Sequence, residues 1–445
     1  MGVDLRTNFY RILAKEISGV AGYFDRVIQV EPLSHDTGEL FRWVSASTKE
    51  NKTLDEFDSN AINKAQDYLL LLLNGNLNHS WDIEDLLSRL RKKILRNTRI
   101  AVVAYNPYLR AIYHLLIWLG VRQGPMPTTF LTTAELENLT MLSGFQVMRR
   151  TPMGFFPFWL GGIGYFFERL LSNLPILRRF GLVEIIWLRP QIKTDEYPSI
   201  SIVIPARNER GNIESALQRI PSFGNAKIEV IFVEGHSKDK TWEEIERAMP
   251  LYSGRLAIQA YRQTGVGKAD AVRLGFSKAT GEIVTILDAD LTMPPELLVR
   301  FYDVYREGYG DFINGSRLLY PMEGEAMRFL NHLGNIFFAK ALSYVLSVRL
   351  GDSLCGTKLF SRRDYVRFQK WRERSGDFDP FGDFELLFPA SFLCLGIVDI
   401  PIRYRARTYG QTNIHRFWHG LLLLKMTMIG FLWMRLGWSG RRDRL

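Results

Sequence analysis

Between residues 67 and 147 the chain alternates short, unbroken apolar runs with amphipathic stretches. Asp67-Tyr-Leu-Leu-Leu-Leu-Leu73 reads as a strand buried on both faces, residues 82–95 as an amphipathic helix, and residues 99–105 as a second strand. Thr132-Thr-Ala-Glu135 is a capping box, in which the threonine hydroxyl and the glutamate carboxylate satisfy free amides of a helix's first turn. Gly144-Phe-Gln-Val147 then restarts a strand. Beyond residue 198 the alternation resumes, with strands at 199–204, 229–233, 256–260 and 283–287 and helices at 212–219, 241–248 and 268–278. Strands spaced by helices imply right-handed crossovers and a mostly parallel sheet, hence an α/β fold. In such sheets ligands sit at the carboxyl ends of the strands, so the residues just after each strand are the ones to read for chemistry.

Pro190 and the polar run 191–198 separate these two patterned regions, and 445 residues exceed what one hydrophobic core serves. The expected organisation is an α/β domain over 1–195, a second over 196–420, and a basic amphipathic tail over 421–445. A net charge of +10 points to an anionic partner. Two cysteines, Cys355 and Cys394, suggest neither a disulfide framework nor a cysteine zinc site. The first residues show no apolar core followed by a cleavage site, so no secretion signal is expected. The uncharged run 151–167 is broken by Pro152, Pro157 and glycines and is shorter than a bilayer span, which makes it interfacial or buried. Residues 417–438 are interrupted by Lys425 and Arg435, and carry Trp418, Trp433 and Trp438 ahead of Arg441, Arg442 and Arg444. That pattern suits a helix lying in the headgroup region, and the protein is expected at the cytoplasmic face of a membrane as a peripheral protein.

Residues 65–150 resemble the second half of a class I SAM-dependent methyltransferase. The glycine turn that would bring a backbone close to the cofactor is missing from residues 1–60, where Gly19 and Gly22 neither follow an apolar strand nor have the required spacing. A degenerate domain without methyltransferase activity is expected.

The later strands end in residues suited to a nucleotide diphosphate. The first ends in Val203-Ile-Pro205-Ala-Arg-Asn208-Glu209, where proline is expected to stop the ladder and free Glu209 to face a ligand. The second ends at Glu234, a candidate base-edge acceptor, with Ser237 or Asp239 able to cap the next helix and Asp239 expected to act as a cap. Gly265-Val-Gly267-Lys268 opens a helix that also carries Arg273. Cations disfavour a helix N-terminus, so their placement suggests a diphosphate facing them. Asp288-Ala-Asp290 follows an apolar strand, and two carboxylates two residues apart project the same way on extended chain, as a hard cation such as Mg²⁺ or Mn²⁺ requires.

Four such motifs in order resemble the GT-A fold of family 2 glycosyltransferases over residues 199–420. The resemblance implies a Rossmann-like domain in which Pro205, Glu209, Glu234 and Asp288 touch the nucleotide of a nucleotide-sugar donor and Asp290 holds the metal. Glu234-Gly235 departs from the two aspartates found in many members.

Downstream, Gly315-Ser-Arg317, Arg328, 352–358, 379–385 and 400–410 are similar in order to the polyprenyl-phosphate sugar transferases, the group of dolichol-phosphate mannose synthase. The similarity implies that Arg317, Arg328 and Arg407 bind phosphates of a lipid acceptor or the donor, and that transfer inverts the anomeric centre. Thr292 stands in place of a common glutamine, and Thr412-Asn413 in place of a serine-lysine pair. A hydroxyl acceptor, saccharide or other, would need a base, with Asp383 the first candidate and Glu385 the second. His415 and His419 have i, i+4 spacing without a third zinc ligand, and no nucleic-acid motif accompanies the aromatic residues. The remaining alternative is a pair of decayed enzymes forming a membrane-surface scaffold, against which the intact pair of aspartates argues.

Overall fold

Leu69 to Leu73 are all buried, as an unbroken apolar strand must be when both faces of its sheet are covered. The computed structural model describes residues 5–57, 67–120, 124–320, 329–376, 379, 381–405, 409 and 416–437. Two units divide the chain between Ile192 and Lys193, with the segment Leu432–Trp438 grouped with the first.

In the first unit six strands, β1 (Arg26–Val30), β2 (Lys49–Lys52), β3 (Leu69–Asn74), β4 (Arg99–Tyr105), β5 (Phe145–Met153) and β6 (Val183–Pro190), lie in the order β2-β1-β3-β4-β6-β5. The first four are parallel, and β6 runs antiparallel to both β4 and β5. Helices α1 (Leu5–Ala21), α2 (Ile83–Lys93), α3 (Arg110–Trp118), α4 (Thr133–Leu142) and α5 (Ile163–Asn173) belong to this unit. Asp82 caps α2 by accepting from the Asp85 amide at 2.8 Å, and the capping box of Thr132 and Glu135 opens α4. Beyond β1 the chain seals its own strand ends. Asp36 accepts from Gln29 Nε2 (2.6 Å), Asn74 Nδ2 (3.0 Å) and the Gly38 amide (2.8 Å), while Glu31 accepts from the Leu54 amide (2.6 Å).

The uncharged run 151–167 is not one element: it finishes β5, passes through a 3-10 turn at Leu160–Gly162 whose Gly161 and Gly162 have positive φ, and enters α5.

The second unit holds a seven-stranded sheet in the order β13-β11-β12-β10-β7-β8-β9. Its strands are β7 (Ile200–Ala206), β8 (Ile228–Glu234), β9 (Ala257–Arg262), β10 (Ile283–Ile286), β11 (Phe312–Ser316), β12 (Lys358–Ser361) and β13 (Ile397–Pro401). From β10 to β9 every pair is parallel, whereas β12 runs antiparallel between β10 and β11. Helices α6 (Ile213–Arg219), α7 (Thr241–Tyr252), α8 (Lys268–Lys278) and α9 (Leu298–Arg306) connect the parallel strands. They are followed by α10 (Phe329–Leu346), α11 (Arg362–Ser375), α12 (Phe384–Phe392) and α13 (Arg416–Gly430). Ile200, Ile202 and Ile204 alternate onto one face of β7 and enter the core with Ile213, Leu217 and Phe232. After α13 the chain turns into a π-helical segment, Phe431–Arg435. Among the described residues no helix is long and apolar enough to cross a membrane.

Candidate functional site

The carboxyl ends of β7, β8 and β10 and the first turn of α8 carry the residues singled out above. Pro205 does not end its strand. It stays within β7 opposite Val233, and pairing runs on to Ala206 and Glu234. Val203 serves the Leu287 amide, so odd positions of β7 face β10, which stops at Ile286; the missing amide of Pro205 interrupts no ladder there.

Asn208 and His236 take positive φ just past the strands, a conformation costly for residues with a Cβ that persists where the surroundings hold it. The two turns hold each other: the Asn208 amide donates to Ser237 Oγ (3.0 Å), and the Lys238 amide to Asn208 Oδ1 (2.8 Å). Glu209 is buried and accepts from Asn212 Nδ2 at 2.7 Å. Glu234, also buried, accepts from the Ser237 amide at 2.5 Å. Asp239 is not a helix cap, because Lys240 with its left-handed backbone occupies the N-cap of α7. Asp239 instead accepts from the Thr241 hydroxyl, the Arg210 amide (3.2 Å) and Tyr409 Oη (3.1 Å), which hold its carboxyl below the usual range despite partial burial.

The glycine loop is fastened on both sides. His236 Nε2 lies 2.9 Å from the Gly265 carbonyl, and Gln263 Nε2 donates to the Gly267 carbonyl and to Asp270, each at 2.8 Å. Gly267, at φ 95°, is the N-cap of α8, so the next residue, Lys268, begins the helix. Its ammonium lies 2.5 Å from Asp288 Oδ1. Burial would lower the lysine's pKa, but Asp288, Asp383 and Asp290 together raise it. Gly356 makes room for this pair: a Cβ there would collide with Lys268 Nζ and Asp288 Oδ2. Asp290 is oriented by Thr292, whose hydroxyl (2.8 Å) and amide (3.1 Å) both donate to Oδ1.

Arg273 is turned away from the loop. Its Nε and Nη2 fork onto Glu385, with contacts from 2.5 to 3.1 Å, and Arg372 approaches the same buried carboxylate at 3.5 Å. Asp383 accepts from the fully buried ammonium of Lys358, which also donates to the Cys355 carbonyl at 2.5 Å. The turn before Asp383 packs on α8, since a Cβ on Gly382 would sit 3.0 Å from the Ala269 Cα. Asp379 accepts three amides at the start of α12, Phe381 (2.9 Å), Phe384 (2.7 Å) and Glu385 (3.0 Å). Burial pushes its pKa up to about 6 against these bonds, and the Asp383 charge adds to the rise.

Arg317 forks onto the buried Asp352, Nε to Oδ2 at 2.6 Å and Nη2 to Oδ1 at 2.9 Å, and the pair holds the Asp352 carboxyl below its usual range against burial. Arg328, Arg407 and His415 lie outside the described residues, as does the side chain of His419.

Sequence reasoning missed a cation-lined cavity of ≈ 510 Å³, bordered by Arg300, Tyr320, Arg403 and Arg405. Its one carboxylate, Glu296, is already bound by Arg219 Nε at 2.7 Å and Nη2 at 2.9 Å. The cavity adjoins the aspartate pair through the chain itself, because the Arg405 amide donates to the carbonyl of Thr292 at 2.9 Å. The signal for it in the sequence is the arginine run 403–407.

A mostly parallel α/β sheet thus places two strand-end aspartates, a glycine loop and a helix-opening lysine at the carboxyl ends of its central strands. Residues 201–367 match the family described as Glycosyl transferase family 2. Over 229 residues it is 28% identical to a dolichyl-phosphate hexose transferase of Haloferax volcanii, covering 52% of this chain and 92% of that protein. It is 32% identical over 120 residues to a dolichol-phosphate mannosyltransferase of Pyrococcus furiosus, covering 26% of this chain and 33% of that one. Glucosyl-3-phosphoglycerate synthase from Mycobacterium tuberculosis, solved with Mn²⁺, UDP-glucose and phosphoglyceric acid, superimposes with a TM-score of 0.37 at 19% identity over 54% of this chain and 80% of that chain.

Proposed function

We propose that the protein transfers a hexose, with inversion and with a divalent metal, from a nucleotide sugar to a polyprenyl phosphate at a membrane surface. The observation that carries this reading is the meeting of Asp288, Asp290 and Lys268 at the end of β10, inside the segment that matches the family. The curated relatives, named for transfer to dolichyl phosphate, support the acceptor class.

The donor set fits a hard cation. Asp288 contacts the Lys268 ammonium, Asp290 stands two residues on and also acts on that charge, and Gly356 leaves room at Asp288 that a side chain would fill. Mg²⁺ or Mn²⁺ held by Asp288 and Asp290 would supply charge stabilisation for the departing nucleoside diphosphate. The protein's own part is positional. Thr292 keeps Asp290 aimed, Lys268 places a fixed positive charge beside the diphosphate, and the amides after Gly267 offer an anion site at the N-terminus of α8. Glu209 and Glu234, held by Asn212 and Ser237, border the nucleotide.

A phosphate acceptor is ionised and needs little help from a base. Both candidate bases are engaged, Asp383 by Lys358 and Glu385 by Arg273, which favours the phosphate over a hydroxyl acceptor. Arg300, Arg403 and Arg405 offer the cations that an acceptor phosphate requires. The first unit is read as a methyltransferase-like module without that activity. Incubating membranes and purified protein with labelled nucleotide sugars and identifying the product by mass spectrometry tests donor and acceptor together. A glycosylated polyprenyl phosphate is expected, and label found only on saccharide or protein would overturn the acceptor.

A further inference from the structure

Helix α5 of the first unit is built inside out. Its inward face carries Glu168, which is 0% exposed, and Arg169, 7% exposed. Its outward face carries Ile163 at 60%, Phe167 at 42% and Leu170 at 38%. Positions i, i+4 and i+7 share one side of a helix, and the same spacing of three and four continues through Leu160 before the helix and Leu174 and Leu177 after it, all exposed. A soluble helix hides such a stripe against its own core.

Here the inward polar residues are fixed by specific partners, so the helix cannot roll over to bury the stripe. Glu168 accepts the amides of Gly154, Phe155 (3.1 Å) and Phe156 (2.7 Å). Arg169 pairs with Glu16 of α1 at 3.2 Å, and Tyr165 Oη donates to the same carboxylate at 2.7 Å. On the same inward side Arg169 donates to the Met434 carbonyl, and Asn173 Nδ2 to that of Arg435 at 2.7 Å. Turning the stripe inward would strand several buried charged groups, each costing kilocalories.

Charge identifies what covers the stripe. Between residues 154 and 182 the only acidic side chain is Glu168, which is buried, whereas Arg178 and Arg179 are exposed in the 3-10 turn Leu177–Phe180. At the other end Arg11 lies 4.3 Å over the ring of Trp159, and Lys15 lies 4.9 Å over that of Tyr165. An apolar strip edged by arginine, lysine and tryptophan, with no exposed acid, matches the acyl boundary and anionic headgroups of a bilayer.

We propose that α5 and its flanking turns form a docking face of the first unit for an anionic lipid bilayer. This face is separate from the transfer chemistry, although it shares with the proposed function the premise of work at a membrane surface. Flotation of the full chain with phosphatidylglycerol vesicles and with neutral phosphatidylcholine vesicles tests it, alongside the double variants Ile163→Glu/Leu170→Glu and Arg178→Ser/Arg179→Ser. The apolar pair of changes is expected to weaken vesicle binding by at least about tenfold, and the arginine pair to cut the preference for anionic vesicles by about tenfold. Because both native cysteines are buried, a single Ile163→Cys change can carry an environment-sensitive dye, which should shift to the blue on anionic vesicles even if the glutamate pair folds poorly. Vesicle binding left intact by the glutamate pair, a dye that stays in water, or a dimer of the native chain that the glutamate pair dissolves would each overturn the proposal. Turnover of a short-chain, water-soluble acceptor phosphate, measured in parallel, should survive the loss of docking and so separates failure of this face from failure of the transferase reading.

Discussion

Thr292 shows how much one hydroxyl can decide. It stands where the family resemblance would place glutamine, and its two bonds to Asp290 Oδ1 hold that carboxylate in place. Thr292→Val should raise the metal concentration needed for half-maximal transfer by about tenfold or more, as removing the partner of a metal-binding carboxylate commonly does. Asp290→Ala should lower transfer about a thousandfold with an unchanged melting temperature. A metal titration of initial rates, with a thermal melt of each variant, checks both. Asp379 makes a separate pH prediction. Its folded pKa of about 6 lies above the unfolded carboxylate value, so the folded state binds its proton more tightly. The stability tied to that proton is therefore present below the unfolded pKa and is lost as pH climbs to about 6, an effect on the order of 3 kcal/mol. Asp379→Asn should remove that component, seen as a smaller change in urea midpoint between about pH 4.5 and about pH 7. Neither effect could be read from residue spacing, because both depend on what packs around the carboxyl group.

At the level of elements, the regular alternation after residue 198 was legible because each apolar run is bounded by polar turns, and α8 begins and ends where expected, at Lys268 and Lys278. The antiparallel β12 was not legible, since Lys358-Leu-Phe-Ser361 is four residues long and opens with a lysine. That lysine is tolerated in the sheet because Asp383 and the Cys355 carbonyl receive it. The cap expected at Asp239 failed for a related reason: a carboxylate near a helix start has competing partners, and Thr241, Arg210 and Tyr409 claim this one. Arg317 offers the sharpest test. Its guanidinium is spent on Asp352, so Arg317→Met alone should destabilise the protein by about 3 to 5 kcal/mol by leaving a buried carboxylate unpaired. Arg317→Met combined with Asp352→Leu should recover most of that loss in denaturant titrations. If the single variant instead keeps its stability and raises the KM for the acceptor, the arginine serves a phosphate.

For the molecule as a whole, the first unit keeps a mostly parallel sheet, but the carboxyl ends of β1 and β3 are closed by Asp36, Gln29, Asn74 and Glu31 bonding to their own chain. This chain should accordingly show no SAM binding in the low micromolar range by calorimetry, and a saturable isotherm there would contradict the degenerate reading. Sequence alone determined the α/β class, because periodicity is a local property that survives without coordinates, and it supplied the expectations of a junction near 195 and of a metal site at Asp288 and Asp290. Only the tertiary structure decided which charges are spent and which are offered. Arg273, Arg317 and Glu385 look like site residues in one dimension and are engaged in ion pairs in three, while the cavity of Arg300, Arg403 and Arg405 joins segments a hundred residues apart. The outward stripe of α5 follows the same logic. Its spacing is written in the chain, but its direction is set by the partners that Glu168 and Arg169 find on the other side.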